Sequence, residues 1–132
     1  MPEKNQKKII VAEDDVAMAE IVSHKLATDG FNIRHAEDGA KAIEMFEQDP
    51  PDIMLLDLMM PEVDGFKVLE KIRTNPDAKL AKTPVIVLSN LWSNEDILKT
   101  QQLKADAYMI KAYFTPDEIL AKIQQVLAKH NK

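Results

Sequence analysis

Short apolar runs alternate with segments of helical periodicity along the chain. The apolar runs are residues 9–12, 31–36, 53–56, 85–88 and 107–110. Between the runs, apolar side chains recur every three or four residues, as amphipathic helices require. The stripe of the first such helix consists of Met18, Ile21, Val22 and Leu26. Five strand–helix pairs in this order predict an α/β fold with a parallel sheet.

The second run differs from the others in its polar content. Runs one, three and four are continuously apolar, as in strands that helices cover on both faces. The second run alternates, with Asn32 and Arg34 between apolar residues, which suits the edge of a sheet. We therefore predict a doubly wound (βα)5 three-layer sandwich whose five parallel strands have the order 2-1-3-4-5. In such a sheet, ligands bind outside the carboxyl ends of the strands.

The last helix has its own start signal. Thr115 and Glu118 have the spacing of a capping box, and Pro116 lies between them at the first helical position. We expect the helix to begin there.

Composition narrows the class of protein. The chain has 132 residues, 45% of them hydrophobic and 30% charged, which fits one globular domain. The absence of cysteine excludes disulfides and thiol chemistry, and the net charge of -5 does not favour nucleic-acid binding. Residues 1–8 lack the apolar core of a secretory signal. We expect a single cytoplasmic domain over residues 1–132, with its core at about 7–128.

Polar residues follow four of the five predicted strands. They are Glu13, Asp14 and Asp15 after strand one, Asp57 after strand three, Ser89 at the end of strand four and Lys111 after strand five. Strands one and three are neighbours in the predicted order, so their carboxylates converge and repel one another unless a cation lies between them. Oxygen ligands without His or Cys favour Mg²⁺. The three histidines, His24, His35 and His130, have no ligand-pair spacing, and we interpret them as structural or solvated.

These residue types together describe a metal-assisted phosphoryl-transfer site. Asp57 is the natural nucleophile, and Ser89 and Lys111 offer a hydroxyl donor and a positive charge to phosphoryl oxygens. Structural interpretations remain open for single residues: Asp14 or Asp15 as a helix N-cap, Ser89 as a turn residue and Lys111 as a solvated lysine.

Four stretches, residues 8–15, 51–65, 84–89 and 105–111, resemble the receiver domain of two-component response regulators. The resemblance covers nearly all of residues 7–128 and implies a flavodoxin-like fold. It also implies a stand-alone, chemotaxis-regulator-like switch that accepts a phosphoryl group on Asp57. The donor would be a phosphohistidine on a sensor histidine kinase or a histidine phosphotransfer protein. We expect the chain to catalyse only its own Mg²⁺-dependent phosphorylation and dephosphorylation and to have no other enzymatic activity.

The resemblance implies a metal role for four residues. Asp14 would be a direct Mg²⁺ ligand and Glu13 would act through water. Asp57 and the backbone carbonyl of Met59 would complete the metal site.

Three other residues match the switching part of a receiver. Ser89 resembles the hydroxyl that moves to bond the phosphoryl group. Lys111 resembles the lysine that pairs with the phosphoryl group or, before phosphorylation, with Asp57. Tyr108 stands at the position of the aromatic ring that turns inward when the hydroxyl moves.

The sequence departs from the usual receiver pattern at several positions. Ala112 replaces the proline that usually follows the lysine, and a non-proline cis peptide is much costlier, so the sequence leaves the state of the Lys111–Ala112 peptide open. Lys104 replaces a glycine, and a positive φ at that residue would cost about 1 kcal/mol. Met59 and Leu91, which flank the path of the hydrolytic water in the family, are apolar, and this predicts a long-lived phosphoryl-Asp57.

Output is expected through protein contact. Only residues 128–132 follow the stripe of the last helix, so no output domain is expected within this chain. The predicted contact surface is helix four, strand five and helix five, with the aromatic residues Trp92, Tyr108, Tyr113 and Phe114. For Tyr113 and Phe114, packing in the core is the alternative. We expect a downstream protein partner, no nucleic-acid or membrane partner, and a monomer or a phosphorylation-dependent dimer.

Three other functions compete with this interpretation. An aspartyl-phosphate phosphatase usually has a second Asp two residues after the nucleophile, where this chain has Met59. A flavodoxin-like cofactor binder needs a Gly/Ser/Thr-rich phosphate loop where this chain is acidic. The third is a receiver-like interaction module that receives no phosphate, or a receiver excised from a hybrid kinase.

Overall fold

The computed structural model describes residues 7–90 and 93–130. The strands are β1 (Lys8–Ala12), β2 (Asn32–Ala36), β3 (Ile53–Leu56), β4 (Val85–Ser89) and β5 (Ala107–Ile110). The helices are α1 (Val16–Thr28), α2 (Gly39–Gln48), α3 (Gly65–Arg73), α4 (Ala78–Ala81), α5 (Asn94–Gln102) and α6 (Pro116–His130). A 3-10 turn at Lys111–Tyr113 follows β5. The strands are all parallel, in the order β2-β1-β3-β4-β5, which confirms the predicted sheet.

The central strands are buried because helices cover both faces of the sheet. Successive side chains of a strand point to opposite faces. In β1, Ile9 and Val11 pack with α1 and α6 on one face, and Ile10 and Ala12 pack with α2 and α3 on the other. The continuously apolar runs therefore have the two-sided burial that their composition predicts. In β2 only Ala36 is buried, as expected of an edge strand.

The first helix packs along a different line from the predicted stripe. Ile21 is 57% exposed, and the buried residues are Ala19, Val22 and Leu26. Including Ile21 in the core-facing stripe was wrong. At 3.6 residues per turn, the positions 19, 22 and 26 share one face, and position 21 points away from residue 19.

A short helix was not predicted from the sequence. Helix α4 has only 4 residues, too few for a periodic apolar pattern, and begins after Asp77, which caps it.

The capping box of α6 is confirmed: Thr115 N–H donates to Glu118 Oε1 (2.8 Å) and Glu118 N–H donates to Thr115 Oγ1 (3.2 Å). Within the described ranges, no helix is both long and apolar enough to cross a membrane.

Lys104 has a φ of 63°, so the strain anticipated for a non-glycine residue at the end of α5 is present. We expect Lys104→Gly to stabilise the fold by about 1 kcal/mol, because glycine occupies the left-handed region without a Cβ clash. Chemical denaturation with urea measures the change. The backbone carbonyl of Lys104, which accepts from Arg73, is retained in the variant.

Lys82→Gly is the matched control. Lys82 is also an exposed lysine at a helix C-terminus, but its φ is -101°. Glycine there only adds freedom to the unfolded chain, so this variant should lose stability. Equal losses in both variants would contradict the strain at Lys104.

Candidate functional site

Asp57 follows β3 at the carboxyl edge of the sheet and is only 4% exposed. Its backbone N–H still donates to Ala12 of β1 (3.0 Å), so the residue is held as an extension of the strand. Asp57 Oδ1 accepts from the backbone N–H of Met59 (3.1 Å), and Oδ2 accepts from Lys111 Nζ (2.9 Å). The carboxylate is therefore fixed in one orientation.

A glycine brings the start of α3 against this loop. The N–H of Gly65 donates to the carbonyl of Leu58 (3.0 Å). A Cβ at Gly65 would lie 2.3 Å from the Asp57 carbonyl oxygen and 2.6 Å from Leu58 Cα. Both contacts are with backbone, so only glycine permits this approach.

An acidic turn faces Asp57 from the end of β1. Glu13 is 3% exposed, whereas Asp14 is exposed. Asp15 is the N-cap of α1, where its carboxylate accepts from Met18 N–H (3.2 Å), as one structural interpretation of the sequence held. Asp15 N–H donates to Glu13 Oε2 (3.1 Å), which closes the turn.

The acidic residues form a cluster suited to a hard cation. One carboxylate oxygen from each of Glu13, Asp14 and Asp57 lies within 4.8 Å of the others. The donor set contains oxygen alone, the chemistry that Mg²⁺ prefers. The residues present therefore fit a divalent cation of this kind.

Lys111 lies between two of these carboxylates. Its Nζ is 2.5 Å from Glu13 Oε1 and 2.9 Å from Asp57 Oδ2, and its side chain is 14% exposed. Burial alone would lower the pKa of Lys111, but its hydrogen bonds to Glu13 and Asp57 outweigh burial and raise that pKa. The ammonium group therefore stays charged and offsets the repulsion between the two acids.

Glu13 is the acid whose ionisation is most strongly shifted. Burial raises the pKa of Glu13 to about 7, despite the opposing hydrogen bonds from Lys111 and from the Asp15 N–H. The negative charge of Asp57 adds to the increase. Burial thus disfavours the ionised form of this carboxyl, and a bound cation would favour it.

Ser89 and Tyr108 lie on the neighbouring strands. Ser89 is fully buried at the end of β4 and pairs in register with Ile110, directly before Lys111. Ser89 is thus at the same carboxyl edge as Asp57. Tyr108 is half-buried on β5, and burial raises its pKa, with smaller contributions from Asp96 and Asp57.

Two site features were missed in the sequence. Gly65 lies in a predicted loop, and its contact with Asp57 requires the packing of α3. His35 Nε2 is 2.6 Å from the backbone carbonyl oxygen of Glu13, which only the register of β1 and β2 reveals.

Two residues named in the sequence analysis lie outside the described residues: Leu91, expected beside the path of the hydrolytic water, and Trp92, expected on the contact surface. The described chain has no cis peptide bond, including that between Lys111 and Ala112.

Known proteins resemble this chain over most of its length. The family model "Response regulator receiver domain" matches residues 9–124. A protein of Guillardia theta named "Probable transcriptional regulator ycf27" is 33% identical over 129 residues, 98% of this chain but 48% of its own length. The chain thus spans about half the length of the curated relatives it matches.

Solved structures extend the likeness to three dimensions. The receiver domain of Francisella response regulator 1452 has a TM-score of 0.84 and 30% identity, with 96% of this chain and 100% of that chain covered. The Mn(2+)-bound form of response regulator Rcp1 has a TM-score of 0.75 and 30% identity, covering 90% of this chain and 89% of that chain. By sequence and by fold, this chain belongs to the response regulator receiver domain family.

Proposed function

We propose that the chain is a phosphorylation switch in which Asp57 accepts a phosphoryl group from a phosphohistidine. The donor is a sensor histidine kinase or a histidine phosphotransfer protein. One observation carries the proposal: a buried, oriented carboxylate lies within 3 Å of a lysine ammonium and beside two further acids. A purely structural aspartate has no need of this combination.

The reaction is a direct transfer. A carboxylate oxygen of Asp57 attacks phosphorus, the oxygen–phosphorus bond forms, and the phosphorus–nitrogen bond of the donor breaks, leaving the electron pair on the imidazole. Lys111 Nζ, already 2.9 Å from Asp57 Oδ2, neutralises charge on the incoming phosphoryl oxygens. The Ser89 hydroxyl provides a further hydrogen bond to the phosphoryl group and acts as the switch hydroxyl, with Tyr108 as the switch aromatic.

We propose Mg²⁺ as the cofactor of this site. When bound, it would supply positive charge that stabilises the phosphoryl oxygens. Glu13, Asp14 and Asp57, with the backbone carbonyl of Met59, would hold it. The related response regulator Rcp1 has been solved in a Mn(2+)-bound form, which supports a divalent cation as the cofactor here.

The output of the switch is a contact with a downstream protein. The proposed surface is formed by α5, β5 and α6, which correspond to the predicted helix four, strand five and helix five. It presents Tyr113 (71% exposed), Phe114 (37% exposed) and Leu98 (54% exposed). Exposed aromatic and aliphatic side chains are the residues that anchor protein interfaces. The exposure of both aromatics disfavours their packing in the core.

The size of the relatives bears on how this switch is deployed. Several curated relatives are about twice as long as the matched segment and are named transcriptional regulators. Two arrangements compete: the stand-alone receiver expected above, and a receiver that forms part of a longer protein as in these relatives. A phosphatase of this kind usually has a second aspartate two residues after the nucleophile, and this chain has Met59 there. The acidic turn at residues 13–15 disfavours a nucleotide cofactor.

The test is incubation with Mg²⁺ and a small acyl-phosphate donor, followed by intact mass measurement. We expect one phosphoryl group per chain, and none when the divalent cation is chelated. The absence of any adduct with every donor tried would overturn the proposal and favour an interaction module that receives no phosphate. Repeated turnover of a phosphate ester would favour the phosphatase.

The phosphoryl group should be long-lived, because the side chain beside the water path is apolar. Met59 is 58% exposed and has no group that could orient or activate water. We expect Met59→Asn to shorten the lifetime of phosphoryl-Asp57 severalfold, measured as loss of the phosphorylated mass after donor removal. Ile21→Asn, a similarly exposed apolar residue on α1, is the control and should leave the lifetime unchanged. A wild-type lifetime of only seconds would sink this prediction.

A further inference from the structure

His35 lies near the carboxyl end of β2 and reaches into the acidic turn. In the β1–β2 register, His35 pairs with Val11 and Ala36 pairs with Ala12. Glu13 therefore comes just after the last paired residue of β1. The ring Nε2 of His35 is 2.6 Å from the carbonyl oxygen of Glu13. The contact thus holds the chain at the point where it leaves the sheet.

Residues of β2 hold both backbone polar groups of Glu13. Its N–H donates to the carbonyl of Ala36 (3.0 Å), and its carbonyl accepts from His35. A carbonyl oxygen can only accept, so this contact assigns a proton to His35 Nε2. The peptide unit between Glu13 and Asp14 is planar. Fixing the Glu13 carbonyl therefore also fixes the positions of the Asp14 nitrogen and Cα.

The other side of Asp14 is held as well. Asp15 N–H donates to Glu13 Oε2 (3.1 Å), and the Asp15 carboxylate caps α1 through Met18 N–H (3.2 Å). Asp14 lies between these two anchored residues, with its side chain exposed. The backbone from which the exposed carboxylate extends is thus held on both sides, and one of the bonds that hold it comes from His35.

We propose that His35 is a positioning residue for cation binding: its Nε2–H bond to the Glu13 carbonyl fixes the backbone that carries Asp14. The inference rests on the proposed Mg²⁺ site. Mg²⁺ requires near-ideal octahedral geometry, so small rotations of a ligand-bearing peptide weaken binding. Partners that orient metal ligands are worth about 10- to 100-fold in metal affinity.

A matched pair of variants tests the hydrogen bond. His35→Gln retains an N–H donor at the position of Nε2, and His35→Met has a side chain of the same length without a donor. Calorimetric titration of the full chain with Mg²⁺ alone, at one fixed pH, gives the dissociation constant. We expect His35→Met to bind Mg²⁺ about 10-fold more weakly than wild type and His35→Gln to stay close to wild type.

Thermal unfolding without metal separates positioning from general stability. A merely structural His35 would lower the unfolding temperature in both variants without splitting their Mg²⁺ affinities. Equal Mg²⁺ binding by wild type, His35→Gln and His35→Met overturns this inference and leaves the proposed function standing. A wild-type protein that binds no Mg²⁺ would instead overturn the metal site of the proposed function.

A second measurement needs no variant. Long-range ¹H–¹⁵N spectra of the wild-type histidine rings report which nitrogen carries the proton. We expect the proton of neutral His35 on Nε2. A neutral ring with its proton on Nδ1 would place a bare nitrogen against the Glu13 carbonyl and would overturn the proposal.

Discussion

Asp57→Asn is expected to abolish phosphorylation and to leave the protein folded. The amide oxygen is a poor nucleophile and would not form a stable acyl phosphate, so no adduct should be detectable by intact mass. Asparagine has the same shape and retains an acceptor for the Met59 N–H that now bonds Oδ1 (3.1 Å). Lys111 keeps its second partner, Glu13. Stability should therefore change by about 1 kcal/mol or less.

Asp52→Asn is the matched control for this loss. Asp52 precedes β3 at the opposite end of the strand, is exposed, and accepts from the Lys8 backbone N–H (2.7 Å). The same chemical change there should leave the phosphoryl group on the chain. Phosphorylation of Asp57→Asn at the wild-type level would contradict the assignment of the acceptor, and peptide mapping would then identify the residue used.

Arg73→Met is expected to cause the largest loss of stability, about 2 to 4 kcal/mol. The guanidinium group bonds three backbone carbonyls: Lys104 from Nε (3.1 Å) and Nη2 (2.9 Å), and Ala81 (3.1 Å) and Thr83 (2.7 Å) from Nη1. Nη2 also donates to Asp106 Oδ1 (3.0 Å). One side chain thus ties α3 to the ends of α4 and α5 and to the starts of β4 and β5.

The partner carboxylate explains why removing Arg73 is costly. Asp106 has a side chain only 20% exposed, and Arg73 only 13%. Asp106 Oδ1 also accepts from Val85 N–H (2.8 Å), and Oδ2 lies 2.7 Å from His130 Nε2. Methionine fills similar volume but leaves the carbonyls without these donors and the carboxylate without its cation. Because both side chains are mostly covered, breaking this pair from one side is more damaging than replacing both partners.

Urea unfolding measures the effect of Arg73→Met, and Arg34→Met is the control. Arg34 donates to the Asp49 carbonyl (2.7 Å) and lies 3.6 Å from the Asp49 carboxylate, which is 50% exposed. Because water can replace the arginine at this edge of the sheet, the loss should be much smaller. Similar losses in both variants would show that Arg73 is not a special anchor. Rescue by Arg73→Lys would show that charge alone suffices.

Much of the fold and the site followed from local patterns. Continuous apolar runs require burial on two faces, and this property located the three inner strands. The alternation of apolar and polar residues in the second run located the edge strand. The capping box at Thr115 and Glu118 is a local device, so its prediction depended on no distant contact. The acids, serine and lysine at the strand ends were predictable because parallel strands end at one edge.

Errors arose where local pattern was weak or ambiguous. Helix α4 is shorter than two turns, so it carries no periodic signal. The core-facing stripe of α1 was wrong at Ile21 because the sequence of this helix is compatible with two overlapping apolar faces, and only one of them is buried. Lys104 was correctly singled out, since its strain is a backbone property of one residue.

The sequence by itself determined the five strands, the burial of the inner ones and the chemical groups that follow them, because each depends on short-range periodicity or residue type. Only the tertiary structure decided which of these groups touch. The bridge from Lys111 to both Glu13 and Asp57, the bond from His35 to Glu13 and the bonds from Arg73 to Lys104 and Asp106 all join residues far apart in the chain. Such contacts depend on strand register and helix packing to within about an ångström, the scale on which hydrogen bonds form or fail.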